Sequence, residues 1–264
     1  MSTRTEDTLS EAEIDGFIAD GFVRINDAFS RELARSCREM LWRATGCRED
    51  DPSTWTRPVV RIGEMSAPPF REAASTSLLH AAFDALVGPG RWLPRGGLGT
   101  FPIRFPSADD PGDSGWHIDA SFGTEGEPDF LQWRANVLSK GRSLLMLFLF
   151  SDVGEEDAPT RLRVGSHLDI ARRLAPHGDG GLTLRELAST GFAESAHRRE
   201  ATATGPAGTV YLCHPFLVHA AQRMRGTRAR FLAQPPLLPA APLDPWREGA
   251  SPVELAIRRA LDGA

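Results

Sequence analysis

Cysteine is scarce in this 264-residue chain, and lysine is almost missing. Cys37, Cys47 and Cys213 are odd in number and form no CxxC pair. That excludes a disulfide framework and a structural zinc site, and it suits a reducing compartment. Lys140 is the only lysine, so nearly all positive charge is arginine, as a genome of biased base composition would produce. The formal net charge of −5 leaves no basic footprint for nucleic acid. Long apolar runs are absent too: the longest, Leu144 to Phe150, falls far short of the roughly 20 residues a membrane span requires. Met1 to Ser10 contains no apolar stretch of a secretory signal. The expectation is a cytoplasmic protein with neither membrane nor nucleic acid as partner. No feature specifies an oligomeric state.

What is present is an ordinary globular composition. Hydrophobic residues make up 41%, charged residues 25%, with 25 Gly and 20 Pro, which excludes disorder, collagen-like repetition and coiled coil. The length allows one or two domains at roughly 100–200 residues each. No internal repeat or low-complexity tract divides the chain.

The first 90 residues read as mostly helical. Ser10 precedes Glu11 and Glu13 and an apolar stripe at Ile14, Phe17 and Ile18; Ser30 starts a second helix through Leu33, Cys37, Met40 and Leu41; Ser77 to Val87 forms a third. Gly21–Ile25 and Pro58–Ile62 are strand candidates. From residue 91 to 235, short apolar or alternating runs alternate with Gly, Pro and Asp: Leu98–Phe105, Trp116–Phe122, Leu144–Phe150, Arg161–Val164, Thr209–Cys213 and Arg228–Leu232. Such spacing indicates a β sandwich or barrel. Residues 168–200 interrupt it with a helical and polar excursion. Residues 236–264 form an extension with a short helix opened by Ser251-Pro252. One domain, mainly β with flanking helices, is expected over residues 1–264.

Two motifs carry chemistry. In Trp116-His117-Ile118-Asp119 an extended chain puts His117 and Asp119 on one face, about 7 Å apart, where both can reach one metal ion. Alone, His-x-Asp occurs by chance. A second motif runs from Gly208 through His214 and His219 to Gln222, followed by Arg228 and Arg230. A His-x-carboxylate with one distant His is the facial triad of non-haem iron(II), which leaves coordination positions open. The spacing from His219 to Arg230 fits two adjacent strands joined by a hairpin, with an arginine entering the same cavity. Alternation does not choose between Arg228 and Arg230.

Taken in order, these pieces resemble the phytanoyl-CoA dioxygenase family of iron(II)/2-oxoglutarate oxygenases. The resemblance rests on Trp-His117-Ile-Asp119, Leu-Phe-Ser-Asp152-Val153, the Gly165-Ser166-His167 turn, His214-Pro-Phe-Leu-Val-His219, Arg230, and the opening Ile18-Ala-Asp-Gly21-Phe22-Val23. It spans roughly residues 8 to 235. It implies a double-stranded β-helix (jelly-roll, cupin-like) core, with Fe(II) held by His117, Asp119 and His219. It further implies 2-oxoglutarate anchored by Arg230, with Arg61, Arg104 and Asn136 as further candidates for contacts to cosubstrate or substrate. The implied reaction consumes O2 and 2-oxoglutarate, releases succinate and CO2, and hydroxylates an unactivated C–H of a small organic substrate. Because Asp119 is a carboxylate rather than Gly or Ala, no position is left for a halide, which favours hydroxylation over halogenation. The alternative is a jelly-roll protein that binds metal without catalysis or for non-oxidative chemistry.

The remaining features have plainer readings. His214 is a packed histidine, His167 orders its turn, His80, His177 and His197 sit at the surface, and Asp152 is a turn-forming acceptor. Trp116 and Phe122 suit either core or pocket. The long segment 123–143 and the excursion at 168–200 are each candidates for a cover over the cavity. A single lysine argues against a coenzyme A thioester as substrate.

Overall fold

A computed structural model describes residues 9–123 and 126–263; most of the polar opening segment and residues 124 and 125 lie outside them. The chain runs α1 (Glu11–Asp20), β1 (Phe22–Ile25), α2 (Arg31–Thr45), β2 (Val59–Ile62), α3 (Pro68–Ala74), α4 (Ser77–Val87) and β3 (Phe101–Arg104). There follow β4 (Arg134–Ala135), β5 (Leu144–Leu149), β6 (Arg161–Arg163), α5 (Ser166–Leu174), β7 (Leu182–Thr183) and α6 (Leu184–Ala188). The last elements are β8 (Glu200–Thr202), β9 (Val210–Cys213), β10 (His219–Ala220), β11 (Leu232–Ala233), β12 (Pro236–Leu237) and α7 (Pro252–Asp262). Four of the helices precede residue 90 and one closes the chain, while α5 and α6 fall among the short strands between them.

Helix starts follow the capping chemistry of the sequence. Ser10 accepts from the Glu13 amide while the Glu13 carboxylate receives the Ser10 amide, a reciprocal box that satisfies two donors helix geometry would leave unpaired. Ser30 and Thr76 cap α2 and α4 in the same way through one bond each. Gly21 ends α1 at φ +87°, and a Cβ there would lie 2.4 Å from His167 Nδ1, so the tight exit into β1 requires glycine.

The largest sheet is antiparallel, ordered β1-β9-β5-β11, with β12 also paired to β5. A second sheet is ordered β10-β6-β8, and β2 pairs with β3. All six residues of β5 are buried, and alternation divides them between two cores. Leu144, Met146 and Phe148, with Phe150 just beyond the strand, join the core shared with the helices, packed with Phe17, Phe29, Phe70 and Leu212. Leu145, Leu147 and Leu149 face the other way, onto Leu162, Tyr211, Cys213 and Leu217 between the two sheets. The large sheet is therefore covered on both faces, which explains why its strands read as continuous apolar runs.

At the C-terminus, α7 is tied to the body by a buried carboxylate. Glu254 has no solvent exposure and receives both terminal nitrogens of Arg91, at 2.7 and 2.5 Å. The amides of Asp244 and Ser251, and the Ser251 hydroxyl, complete its shell.

Among the described residues, no helix is long and apolar enough to cross a membrane.

Candidate active site

The segment expected as a strand over Trp116–Phe122 forms only isolated bridges. His117 exchanges both backbone hydrogen bonds with His219, whereas Phe122 pairs with Arg134, so the partner changes midway and no ladder develops. The His117–His219 bridge brings the two imidazoles to 4.3 Å between ring centroids. Each ring is oriented by its own chain: Nδ1 of His117 lies 2.9 Å from the Gly115 carbonyl, and Nδ1 of His219 lies 3.0 Å from that of Leu217. With Nδ1 donating, each Nε2 presents a lone pair. The Asp119 carboxylate lies 4.0 Å from Nε2 of His219.

Ligating atoms of His117, Asp119 and His219 all fall within 4.8 Å of one another. Nε2 of His219 is buried without a hydrogen-bond partner. Burial and the neighbouring His117 push the His219 imidazole down to about 4, against the pull of Asp119, so the ring is neutral at physiological pH. Burial alone would raise Asp119, but Arg142 and the two imidazoles outweigh it and hold the carboxyl below its ordinary value. Two imidazoles and one carboxylate, with the Nε2 of His219 buried and unpartnered, fit a divalent cation with an open side.

Arg142 stands behind Asp119, its Nη1 3.2 Å from the carboxylate and its Nε bonded to the Ala120 carbonyl. Gly141 makes that approach possible: a Cβ at this position would lie 1.9 Å from the Ser121 carbonyl oxygen.

The cluster opens into a cavity of about 560 Å³. One wall is cationic. Arg104, at the end of β3, and Arg230 bridge each other through their backbones, and both side chains are about 1% exposed. Arg104 donates to Asp113 at 2.7 Å, and Arg61 on β2 donates to the other oxygen of the same carboxylate at 2.5 Å. Arg230 has no carboxylate partner: its terminal nitrogens donate to the carbonyls of Ala158 and Pro102, and its Nε is buried and unsatisfied. Burial, with Arg104 alongside, lowers Arg230 to about 9, which still leaves it protonated at neutral pH. Apolar side chains of Phe130, Leu131, Leu184, Ala188, Phe192 and Trp116 also line the cavity.

The structure thus lines one cavity with His117, Asp119, Arg230, Arg104 and Arg61, and His219 joins His117 and Asp119 in the cluster at its edge. Asn136 is a correction. It lies outside the cavity, fully buried, its amide donating to Asp179 O and accepting from the Lys140 amide, so its polar atoms are committed to holding two loops together. The hairpin expected between His219 and Arg230 is also corrected. β10 pairs with β6, while Arg230 bridges β3 just ahead of β11 in the large sheet, so residues 221–229 cross between sheets. That crossing separates the two arginines alternation left equivalent: Arg228 is exposed beside Asp157 and borders a different hollow, with Arg31 and Trp42.

Of the histidines expected at the surface, His177 and His197 are exposed, whereas His80 is half-buried against Trp92, 4.9 Å between ring centroids. His214 is buried with its Nδ1 accepting from Phe216 and its Nε2 against Val253 O, and His167 bonds the Ile18 carbonyl. Trp116 lines the cavity under the guanidinium groups of Arg161 and Arg163, while Phe122 is not among its lining residues. The sequence did not single out Asp113, Arg142, Phe130, Leu131, Leu184, Ala188 or Phe192. All but Asp113 lie in the 123–143 and 168–200 segments that the sequence offers as covers of the cavity, and Asp113 lies in neither.

No protein-family model and no curated protein matches the chain. Solved structures do. HygX from Streptomyces hygroscopicus, determined with nickel and 2-oxoglutarate bound, is 20% identical, with 86% of each chain covered and a TM-score of 0.57. EctD from S. alaskensis, determined with 2-oxoglutarate and 5-hydroxyectoine, is 20% identical over 91% of this chain and 79% of its own, at a TM-score of 0.58. SnoK, a non-heme alpha ketoglutarate dependent carbocyclase from nogalamycin biosynthesis, is 14% identical over 89% and 94%, at 0.56. At such identities the likeness is one of fold alone, shared with proteins solved with 2-oxoglutarate bound and with an alpha ketoglutarate dependent carbocyclase.

Proposed function

We propose that this protein is an Fe(II)/2-oxoglutarate-dependent oxygenase with a double-stranded β-helix core. It hydroxylates an unactivated C–H of a small organic substrate and is a relative of the phytanoyl-CoA dioxygenases. One observation carries the reading: a two-histidine, one-carboxylate cluster opens into the same cavity as a buried arginine with no counter-charge. A buried, unpaired guanidinium is costly unless an anion completes it. Arg230 is therefore the anchor for the far carboxylate of 2-oxoglutarate, a role for which its planar fork of donors is suited. That HygX and EctD were solved with 2-oxoglutarate bound on a similar fold supports the same ligand here.

In this reading His117, Asp119 and His219 hold Fe(II), which when bound supplies oxygen activation coupled to conversion of 2-oxoglutarate to succinate and CO2. The rest is done by the chain. The carbonyls of Gly115 and Leu217 fix the imidazole tautomers, so both Nε2 atoms stay available. Arg142 keeps Asp119 ionised and aimed. The apolar wall excludes water from the place where a C–H bond must be presented.

Anaerobic addition of Fe(II) and then 2-oxoglutarate tests this, followed by the visible metal-to-ligand charge-transfer absorption. A band that appears only with both is the expected result. Bound iron without a band would point to another metal chemistry, and no bound metal would favour a binding protein.

A further inference from the structure

The cavity holds more positive charge than the oxygenase reading uses. Its acidic lining residues are Asp113 and Asp119, and Asp119 is already matched by Arg142 and by the metal cluster. Among the described residues, Asp113 is the carboxylate that shares the cavity lining with three guanidinium groups, those of Arg61, Arg104 and Arg230. It bonds directly to two of them, Arg104 and Arg61. Two positive charges therefore remain unmatched, and the far carboxylate of 2-oxoglutarate accounts for one, at Arg230. The buried Arg104 is held to Asp113 with only 2% of its side chain exposed, so the surplus falls to Arg61. Its side chain is 58% exposed, and Asp113 engages a single one of its nitrogens.

The same cavity is also lined by an uncharged, apolar set of residues. Phe130 and Leu131 come from a single turn of 3-10 helix, Leu184 and Ala188 from α6, and Phe192 from the loop after it. These pieces form one braced unit: β4 pairs with β7, the Leu184 amide donates to Trp133 O at 2.8 Å, and Arg185 pairs with Asp129 at 3.0 Å. Phe130 and Leu131 are 53% and 43% exposed, an apolar area that a bound molecule would cover.

We propose that the substrate to be oxidised is an apolar organic acid, its anionic group held by Arg61 and its carbon body laid against Phe130, Leu131, Leu184, Ala188 and Phe192. The assignment rests on the oxygenase reading for the place of 2-oxoglutarate. It excludes polycationic and highly hydroxylated molecules, which would meet a cation at one end and an unwettable wall at the other.

The test uses the protein loaded anaerobically with Fe(II) and 2-oxoglutarate, and two fluorescent probes that differ by one anionic group. Anilinonaphthalene sulfonate carries the charge, and N-phenylnaphthylamine is its neutral counterpart. A charge-assisted bond to Arg61 should make the sulfonate bind about tenfold tighter or better. Arg61→Gln should collapse that preference, Arg61→Lys should keep most of it, and Ala188→Trp, which narrows the apolar side, should weaken both probes. Equal binding of the two probes, a preference that survives Arg61→Gln, or indifference to Ala188→Trp would each overturn the proposal. The charge-transfer band is recorded on the same samples. An intact band without anion preference defeats the substrate class alone, whereas a missing band defeats the oxygenase reading beneath it.

Discussion

Two buried arginine clusters in this molecule are chemically alike and differ in how completely they are satisfied. At the C-terminal helix, Arg91 meets Glu254 through two nitrogens, and three further donors complete the carboxylate. In the cavity, Arg230 meets only carbonyls, keeps an unsatisfied Nε, and sits beside another arginine. The first cluster is closed and holds the fold together; the second is open and is completed only by something that binds. The histidines divide the same way: both ring nitrogens of His214 are engaged, whereas Nε2 of His219 is buried and free. In both comparisons the group proposed to bind a ligand is the less satisfied one, although incomplete satisfaction alone does not mark the site: Ser143 Oγ, Thr209 Oγ1 and His167 Nδ1 are also buried without a hydrogen-bond partner.

This contrast predicts opposite outcomes for similar substitutions. Asp119→Ala, on the open side, should reduce succinate release to background and abolish iron binding measured by metal analysis, while the protein still folds. Glu254→Ala, on the closed side, should cost about 3 kcal/mol in chemical denaturation, because the half-buried Arg91 loses its partner and the amides of Asp244 and Ser251 lose their acceptor. Cosubstrate binding should be unchanged in the folded fraction. The Glu254 contribution also has a pH signature. Burial opposes the charge, but Arg91 and the backbone amides of Asp244 and Ser251 outweigh it and pull the carboxyl from 4.5 to about 2. A carboxyl that titrates lower when folded stabilises fully above about 4.5, and its contribution is lost as pH falls towards 2. Wild-type stability should therefore decline across that window more steeply than that of Glu254→Ala. The smallest effect is expected from Asn136→Ala, about 1–2 kcal/mol in stability from two lost loop bonds, with 2-oxoglutarate affinity unchanged in calorimetry.

What was legible in the sequence follows from how local the signal was. The helix starts at Ser10, Ser30 and Ser251 rest on contacts three residues away, and the strands around Leu144–Phe150 and Thr209–Cys213 on uninterrupted burial. The facial cluster was legible because one half of it, His117-Ile-Asp119, is itself local. Asp113 was not: it lies in a run of Asp, Pro and Gly that reads as turn, and its partners Arg61 and Arg104 arrive through the β2–β3 pairing. Arg142 follows Lys140-Gly141 in an apparent loop, and only the close Gly141–Ser121 approach carries it to Asp119. The choice between Arg228 and Arg230 failed for a related reason. Alternation assumes a continuous strand there, whereas the strand begins only at Leu232.

Calorimetric titration of 2-oxoglutarate into Mn(II)-loaded protein, wild type against Arg230→Ala, tests the central claim most directly. The open arginine should be worth about 100-fold in affinity, the scale of two charge-assisted hydrogen bonds. Metal affinity should be unchanged, and thermal stability unchanged or slightly raised, since a buried unpaired charge has been removed. Unaltered 2-oxoglutarate affinity, or a loss of stability as large as that of Glu254→Ala, would mean that Arg230 belongs to the closed kind of cluster and that the proposed anchor is wrong.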